Sequence, residues 1–204
     1  MERVLAISDI HGQADALERL LVYANYHPSK DRLVLLGDYI GKGPNSLETL
    51  ELVEKYVKKG AIALRGNHEQ RAIEQCEEGD QYWKYITFLK SLPYWFEDSA
   101  FLFVHAGIRP GIPLKMQNPK DLMTIRKSFL DKSFPFEKTI VFGHTPTDRL
   151  GISCGSLWVD QNKIGIDTGA GHGQYLSLVD LTNRLQYRIS VEGKRTDLPI
   201  KVAF

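Results

Sequence analysis

Five short stretches of this chain join a glycine-containing turn to side chains that bind metals or move protons. They are Ser8-Asp9-Ile10-His11-Gly12, Gly37-Asp38, Arg65-Gly66-Asn67-His68-Glu69, Val104-His105-Ala106-Gly107 and Phe142-Gly143-His144-Thr145. Taken singly, each has an ordinary reading as a turn, a helix cap, a capping box or a hydrogen-bonded core histidine. Taken together, the ordinary readings need five coincidences at the ends of five apolar runs. One shared demand accounts for the set. Carboxylate, imidazole and amide oxygen donors without cysteine suit Mn²⁺, Fe²⁺ or Zn²⁺, and Mg²⁺ fits part of the set. Asp9, His11 and Asp38 would hold one ion, and Asp38, Asn67, His105 and His144 the second, with Asp38 bridging. Two divalent ions about 3.5–4 Å apart lower the pKa of a shared water and clamp the oxygens of an in-line phosphoryl displacement. Of the six histidines, only His27 and His172 lie away from these ends, and both read as loop residues.

Positioning these groups requires strands whose carboxyl ends converge, as in α/β sheets. Residues 4–8, 33–36 and 61–64 read as buried strands. They alternate with helices over 13–26 and 46–59 and with one that opens near Asn67. Ser46 is the expected N-cap of the second helix and Gly60 its C-terminal turn. This alternation predicts parallel βαβ units. After a helix over 82–92, strands follow at 100–104, 139–142, 157–159, 163–166 and 176–180, with Asp160-Gln161-Asn162 as a hairpin turn. The aromatic segment 82–95 reads as core packing, with a substrate-contacting cap as the alternative. The whole is expected to form one domain over 1–204, two packed sheets with helices outside.

Composition narrows the function classes. The 204 residues carry 26 Lys and Arg against 25 Asp and Glu, a net charge of +1. Such a balance offers no field for steering nucleic acids or anionic membranes, so neither is expected as a partner. Cys76 and Cys154 form no CxxC pair and read as idle thiols in a reducing compartment. With neither a signal-peptide pattern nor an apolar run of about 18 residues, a cytoplasmic protein is expected.

The five motifs, in this order, resemble the phosphoprotein phosphatase family of calcineurin-like metallophosphoesterases. That family includes Ser/Thr protein phosphatases and the symmetrical diadenosine tetraphosphatases of bacteria. The resemblance runs from about Asp9 to Leu181, with Asp167-Thr168-Gly169 as a late family segment. It implies a four-layer αββα fold and two divalent metals, Mn first among them. It gives the metal roles to Asp9, His11, Asp38, Asn67, His105 and His144. His68 matches the histidine proposed to protonate the leaving group, and Arg65 and Arg126 match phosphate-binding arginines. Pro146 stands where many phosphodiesterases place a further histidine, which argues against a nuclease.

One motif departs from the family. Protein phosphatases have Gly-Asp-x-x-Asp-Arg-Gly, where this chain has Gly37-Asp38-Tyr39-Ile40-Gly41-Lys42-Gly43. Gly41 replaces the Asp that orients the catalytic histidine. Lys42 replaces an arginine and offers a point charge instead of a fork for the phosphate. A serine alkoxide needs a proton as it leaves, and general acid catalysis is worth about 10²–10⁴-fold. A phosphate leaving group, with its last pKa near ~6, hardly needs one. Gly41 therefore points toward phosphoanhydrides, and Arg65 back toward phosphoproteins. The reading adopted from sequence is a Ser/Thr-phosphatase-like phosphomonoesterase attacking phosphorus with a metal-bridging hydroxide. The alternative is a diadenosine tetraphosphatase or related anhydride hydrolase, and a reading from another class is a metal-containing binding module. The substrate would be a phosphorylated protein or a nucleotide polyphosphate. Restoring Gly41→Asp is expected to help alkyl phosphates more than anhydrides.

Overall fold

A computed structural model describes residues 2–132, 136–192 and 197–204. The first sheet has the order β11-β10-β9-β1-β2-β3, from β1 (Arg3–Ile7), β2 (Asp31–Leu35), β3 (Ile62–Ala63), β9 (Tyr175–Asp180), β10 (Leu185–Ser190) and β11 (Ile200–Ala203). The second has the order β4-β5-β6-β8-β7, from β4 (Trp95–Glu97), β5 (Phe101–Val104), β6 (Thr139–Phe142), β7 (Trp158–Asp160) and β8 (Lys163–Gly165). In each sheet three strands run parallel: β1, β2 and β3 in one, β5, β6 and β8 in the other.

The period-2 alternation of each strand builds the layers. Val4 and Ala6 of β1 face Phe103 of β5 and Val141 of β6, forming an apolar core between the sheets. Leu5 and Ile7 point the other way. They meet Leu17, Leu20 and Leu21 of α1 (Ala14–Tyr23) and Leu50 and Val53 of α2 (Ser46–Val57). On the far side, Leu102, Val104, Ile140 and Phe142 pack against Leu122 of α5 (Pro119–Thr124) and Phe129 of α6 (Lys127–Leu130). Strands covered on both faces explain why these runs are uniformly apolar. The expected αββα layering is what the structure shows.

Several boundaries differ for local reasons. α1 ends at Tyr23, because Asn25 takes a left-handed φ of 52° and reverses the chain. Ser46 does not cap α2: its Oγ instead accepts the Gly41 N–H at 3.1 Å, and Asn45 precedes the helix. Gly60 makes the expected turn with φ 100°. The expected helix over 82–92 is a 3₁₀ turn at Trp83–Tyr85 followed by α4 (Ile86–Ser91). The hairpin turn at Gln161 and Asn162 joins β7 to β8 as read. β4, β11, α5 and α6 went unread because they are short or lie at sheet edges, and β10, an inner strand, because polar residues interrupt its apolar positions Leu185, Tyr187 and Ile189. Among the described residues no helix is long and apolar enough to cross a membrane. Both cysteines are free thiols.

Candidate metal centre

The carboxyl ends of the two parallel triads meet at one rim. Asp9 and His11 follow β1, Asp38 follows β2, and Asn67 opens α3 (Asn67–Gln75) just beyond β3. His105 follows β5 and His144 follows β6. The loops after β1 and β2 are laced together: Asp9 N–H donates to Gly37 O at 3.1 Å, His11 N–H to Asp38 O at 2.9 Å and Gly12 N–H to Tyr39 O at 2.8 Å. Asp9, His11, Asp38 and His144 all hold left-handed backbone, with φ of 51°, 46°, 54° and 64°. Non-glycine residues enter this region at a cost on the order of 1–3 kcal/mol, and such strain gathers at functional sites. The glycines beside them let the walls approach. A Cβ on Gly143 would strike Ser8 and Asp9, and one on Gly66 would strike the Asp38 carboxylate.

The six expected ligands come together in two groups around Asp38. Its Oδ2 lies 3.8 Å from His11 Nε2, and Asp9 Oδ1 lies 4.0 Å from the same nitrogen. Its Oδ1 lies 3.5 Å from His105 Nε2, which also sits 3.1 Å from Asn67 Oδ1. Asp38, His105 and His144 present donor atoms within 4.8 Å of one another, and so do His11, Asp38 and His68. His11 Nδ1 faces Ile40 O at 3.0 Å and His105 Nδ1 faces Leu36 O at 2.8 Å. A carbonyl only accepts, so Nδ1 carries the proton in both rings and Nε2 turns its lone pair to the centre. Arg126 Nε donates to His144 Nε2 at 3.2 Å, leaving Nδ1 as that ring's uncommitted nitrogen.

The electrostatics of the cluster, together with its donor set, suit divalent cations. Burial, and then the neighbouring Asp9 carboxylate, hold Asp38 well above the usual carboxylate range; the same two causes act on Asp167. Burial also opposes ionisation of Asp9, but His105, His11 and the Ser8 hydroxyl bring it below its ordinary value. Asp38 and Asp167 thus lack compensating positive charge at a rim where bound cations would supply it. His144 is pushed down to about 3 by burial and then His105, so it stays a neutral potential ligand.

His68 stands at the edge of this group. Its ring makes no hydrogen bond among the described residues, and Asp38 Oδ2 is 4.0 Å from its Nε2. Burial, then His11 and Lys42, push it down to about 4. A Cβ on Gly41 would strike the Nδ1 edge of His68 and lie 2.9 Å from Cε1. The imidazole thus fills the place from which a side chain at 41 could have oriented it.

Phosphate-binding candidates divide. Arg126 and Lys42 border the cleft. Arg65 does not: its guanidinium donates to Gln70 Oε1 at 3.0 Å, Tyr94 Oη at 2.9 Å and the Lys90 carbonyl, and it stacks 4.8 Å from the Tyr94 ring. Three of its N–H donors are spent inside the fold, its buried Nε–H meets no acceptor, and the structure does not bring Arg65 to the cleft that Arg126 and Lys42 border.

Four residues of the site escaped the sequence reading. His172, read as a loop histidine, lines the cleft; its Nε2 lies 3.3 Å from Lys42 Nζ and 3.5 Å from Arg149 Nη2. Arg149 lines it too, and nothing local in the sequence announced either residue. Asp167, noted only as part of a family segment, follows β8 as a sixth strand end, and the signal that found the other five applied to it. Glu69 is fully buried and accepts backbone N–H groups of Gly66 (2.9 Å), Asp38 (2.7 Å), Tyr39 (2.8 Å) and Ile40 (3.3 Å). The capping-box reading caught only its bond to Gly66.

Residues 2–181 match the family described as calcineurin-like phosphoesterase. Among curated proteins, a symmetrical bis(5'-nucleosyl)-tetraphosphatase of Aromatoleum aromaticum is 31% identical over 124 residues, 53% of this chain and 45% of that protein. One of Psychromonas ingrahamii is 34% identical over 121 residues, 51% of this chain and 44% of that protein. The matched part spans less than half the length of these curated relatives. Among solved structures, one assigned provisionally as a diadenosine tetraphosphatase superposes with a TM-score of 0.74 at 24% identity, covering 93% of both chains. A Ser/Thr protein phosphatase from Saccharomyces cerevisiae superposes with a TM-score of 0.60 at 16% identity, covering 100% of this chain and 80% of that one. These two likenesses concern the fold.

Proposed function

The chain belongs to the calcineurin-like phosphoesterases, and from that membership we propose that it hydrolyses phosphoanhydrides of the dinucleoside polyphosphate class. The observation that carries this choice is the pairing of Gly41 with His68. Among the described residues no carboxylate bonds the Nδ1 edge of the imidazole, and a Cβ at position 41 would meet the ring itself. Without that partner it is a weak source of the proton a serine or threonine alkoxide requires. A phosphate leaving group does without it. The inward-turned Arg65 weakens the argument for phosphoproteins, and the curated relatives named above are tetraphosphatases. The anhydride reading therefore replaces the phosphomonoesterase reading adopted from sequence.

Asp9, His11 and Asp38 would hold one divalent ion, and Asp38, Asn67, His105 and His144 the other. Such a pair supplies Lewis-acid charge to the phosphoryl oxygens and makes water a nucleophile at neutral pH. Lys42, Arg126 and Arg149 border the same cleft and neutralise the outer phosphate oxygens. In the net reaction, water oxygen bonds to phosphorus as the bridging P–O bond breaks. The departing phosphate keeps the electron pair, and the water protons pass to solvent. Glu69 and the Ile40 and Leu36 carbonyls keep the loop and the rings in register throughout.

The deciding measurement compares kcat/KM for diadenosine tetraphosphate, a phosphoserine peptide and a phosphotyrosine peptide with the Mn²⁺-loaded protein. The tetraphosphate is expected to lead. A clear preference for phosphoserine would overturn the reading.

A further inference from the structure

Beside the metal cleft, and sharing the His68 wall with it, lies a second cavity of about 310 Å³. One side is a single face of α3. His68, Arg71, Ala72 and Gln75 stand at spacings of three, four and seven, so they line one stripe of the helix. At 1.5 Å per residue, that stripe runs about 10 Å outward from His68. The opposite side is the turn leading to the 3₁₀ segment, which contributes Tyr82, and Gly41 leaves the inner corner free of any side chain.

The chemistry of the walls differs from that of the metal cleft. Ala72 and Tyr82 give apolar surface, and Tyr82 is seated against the main core, so its position is fixed. Arg71 is exposed and makes no hydrogen bond or ion pair among the described residues. It also borders Asn67 on its other flank. An uncommitted guanidinium one helical turn from His68 and a core-seated aromatic residue in the same cavity offer one partner for a phosphate and one for a base. Tyrosine faces and arginine planes both stack nucleobases.

We propose that this cavity receives the leaving half of the substrate, with Arg71 on its phosphate oxygens and Tyr82 against its nucleobase. The proposal rests on the anhydride reading above and adds the subsite that would make the substrate a nucleotide and not a bare polyphosphate.

The test compares diadenosine tetraphosphate with inorganic tripolyphosphate, which has anhydride bonds but no base. Tyr82→Ala is expected to lower the ratio of their kcat/KM values about tenfold or more, with Tyr82→Phe restoring it. Gln75→Trp, at an exposed position, should lower the same ratio by filling the cavity without disturbing the core. ADP binding to the Mn²⁺-loaded protein, measured by equilibrium dialysis, should weaken by a similar factor in Tyr82→Ala. An unchanged ratio, or equal loss on both substrates, overturns the subsite while leaving the anhydride reading intact. If the tetraphosphate is not hydrolysed but ADP binding still depends on Tyr82, the anhydride reading fails and the leaving-half assignment with it, the cavity being then a nucleotide site of another kind. Dependence on Tyr82 confined to a phosphotyrosine peptide overturns both.

Discussion

Glu69 Oε2 accepts the backbone N–H of Asp38 at 2.7 Å, so the residue common to both candidate ligand groups is held by a carboxylate that belongs to neither. The same side chain takes three further N–H groups, and no exposed route to water relieves it. Glu69→Gln would turn an amide donor toward backbone donors. Unsatisfied buried groups cost about 1–3 kcal/mol, and loss of such supporting bonds lowers metal affinity about 10–100-fold. Calorimetric titration with Mn²⁺ and a thermal melt should show both losses.

Asp38→Asn should separate catalysis from stability. Turnover and Mn²⁺ binding are expected to fall by about 10²-fold or more, since both ion positions lose a charged ligand. In the metal-free protein the same change relieves repulsion among Asp38, Asp9 and Asp167, so its Tm should rise. Adding Mn²⁺ should then stabilise the wild type more than the variant. A variant with full activity and unchanged Mn²⁺ stabilisation would refute the two-metal assignment.

Gly41→Asp will not restore a phosphatase. The backbone there has φ 89°, and the new Cβ meets the His68 ring. The expectation drawn from sequence, a gain on alkyl phosphates, is therefore corrected to a loss on both classes of substrate. A left-handed non-glycine residue alone costs about 1–2 kcal/mol, visible as a lower Tm beside the kinetic loss.

The two arginines matched to phosphate roles should part company. Arg126→Ala is expected to raise KM about tenfold through the lost phosphate contact and the freed His144 ring. Arg65→Ala should lower Tm and leave KM for diadenosine tetraphosphate within about twofold, because its contacts are with Tyr94, Gln70 and Lys90. Steady-state kinetics and melting curves on the two variants decide it.

Arg3 grips Asp31 with bonds of 3.0 and 2.7 Å and reaches the Ala24 and Asn25 carbonyls at 3.0 Å, pinning the end of α1 to the start of β2. Burial pushes the Asp31 carboxyl up, but the Arg3 fork and the His27 N–H outweigh it and hold the carboxyl below its ordinary value. A depressed carboxyl pKa contributes stability above the unfolded value near ~4, and that contribution fades as pH falls through the folded one. Asp31→Asn should lower Tm by about 2–4 °C at pH 7. The gap to wild type should close on acidification below about pH 4, as melts across that range would record.

The residues that the sequence alone determined are those whose meaning is local. A strand ending in glycine and a ligand-type residue is written in a few consecutive letters, so Asp9, His11, Asp38, Asn67, His105 and His144 could be named as candidates before any fold was seen, and the structure gathers them at one rim. The layering was equally legible, because apolar runs covered on both faces leave few other packings. Tertiary structure decided what depends on distance across the chain. Arg65 has the right neighbours in sequence but turns inward to bond Tyr94, 29 positions away. His172 and Lys42 stand 130 positions apart and meet at 3.3 Å. The chemical meaning of Gly41 lay in the absence of a side chain, and only the His68 ring filling that space showed why one is not tolerated there. Hydrogen bonding and steric exclusion act over a few ångströms in space, whatever the separation along the chain.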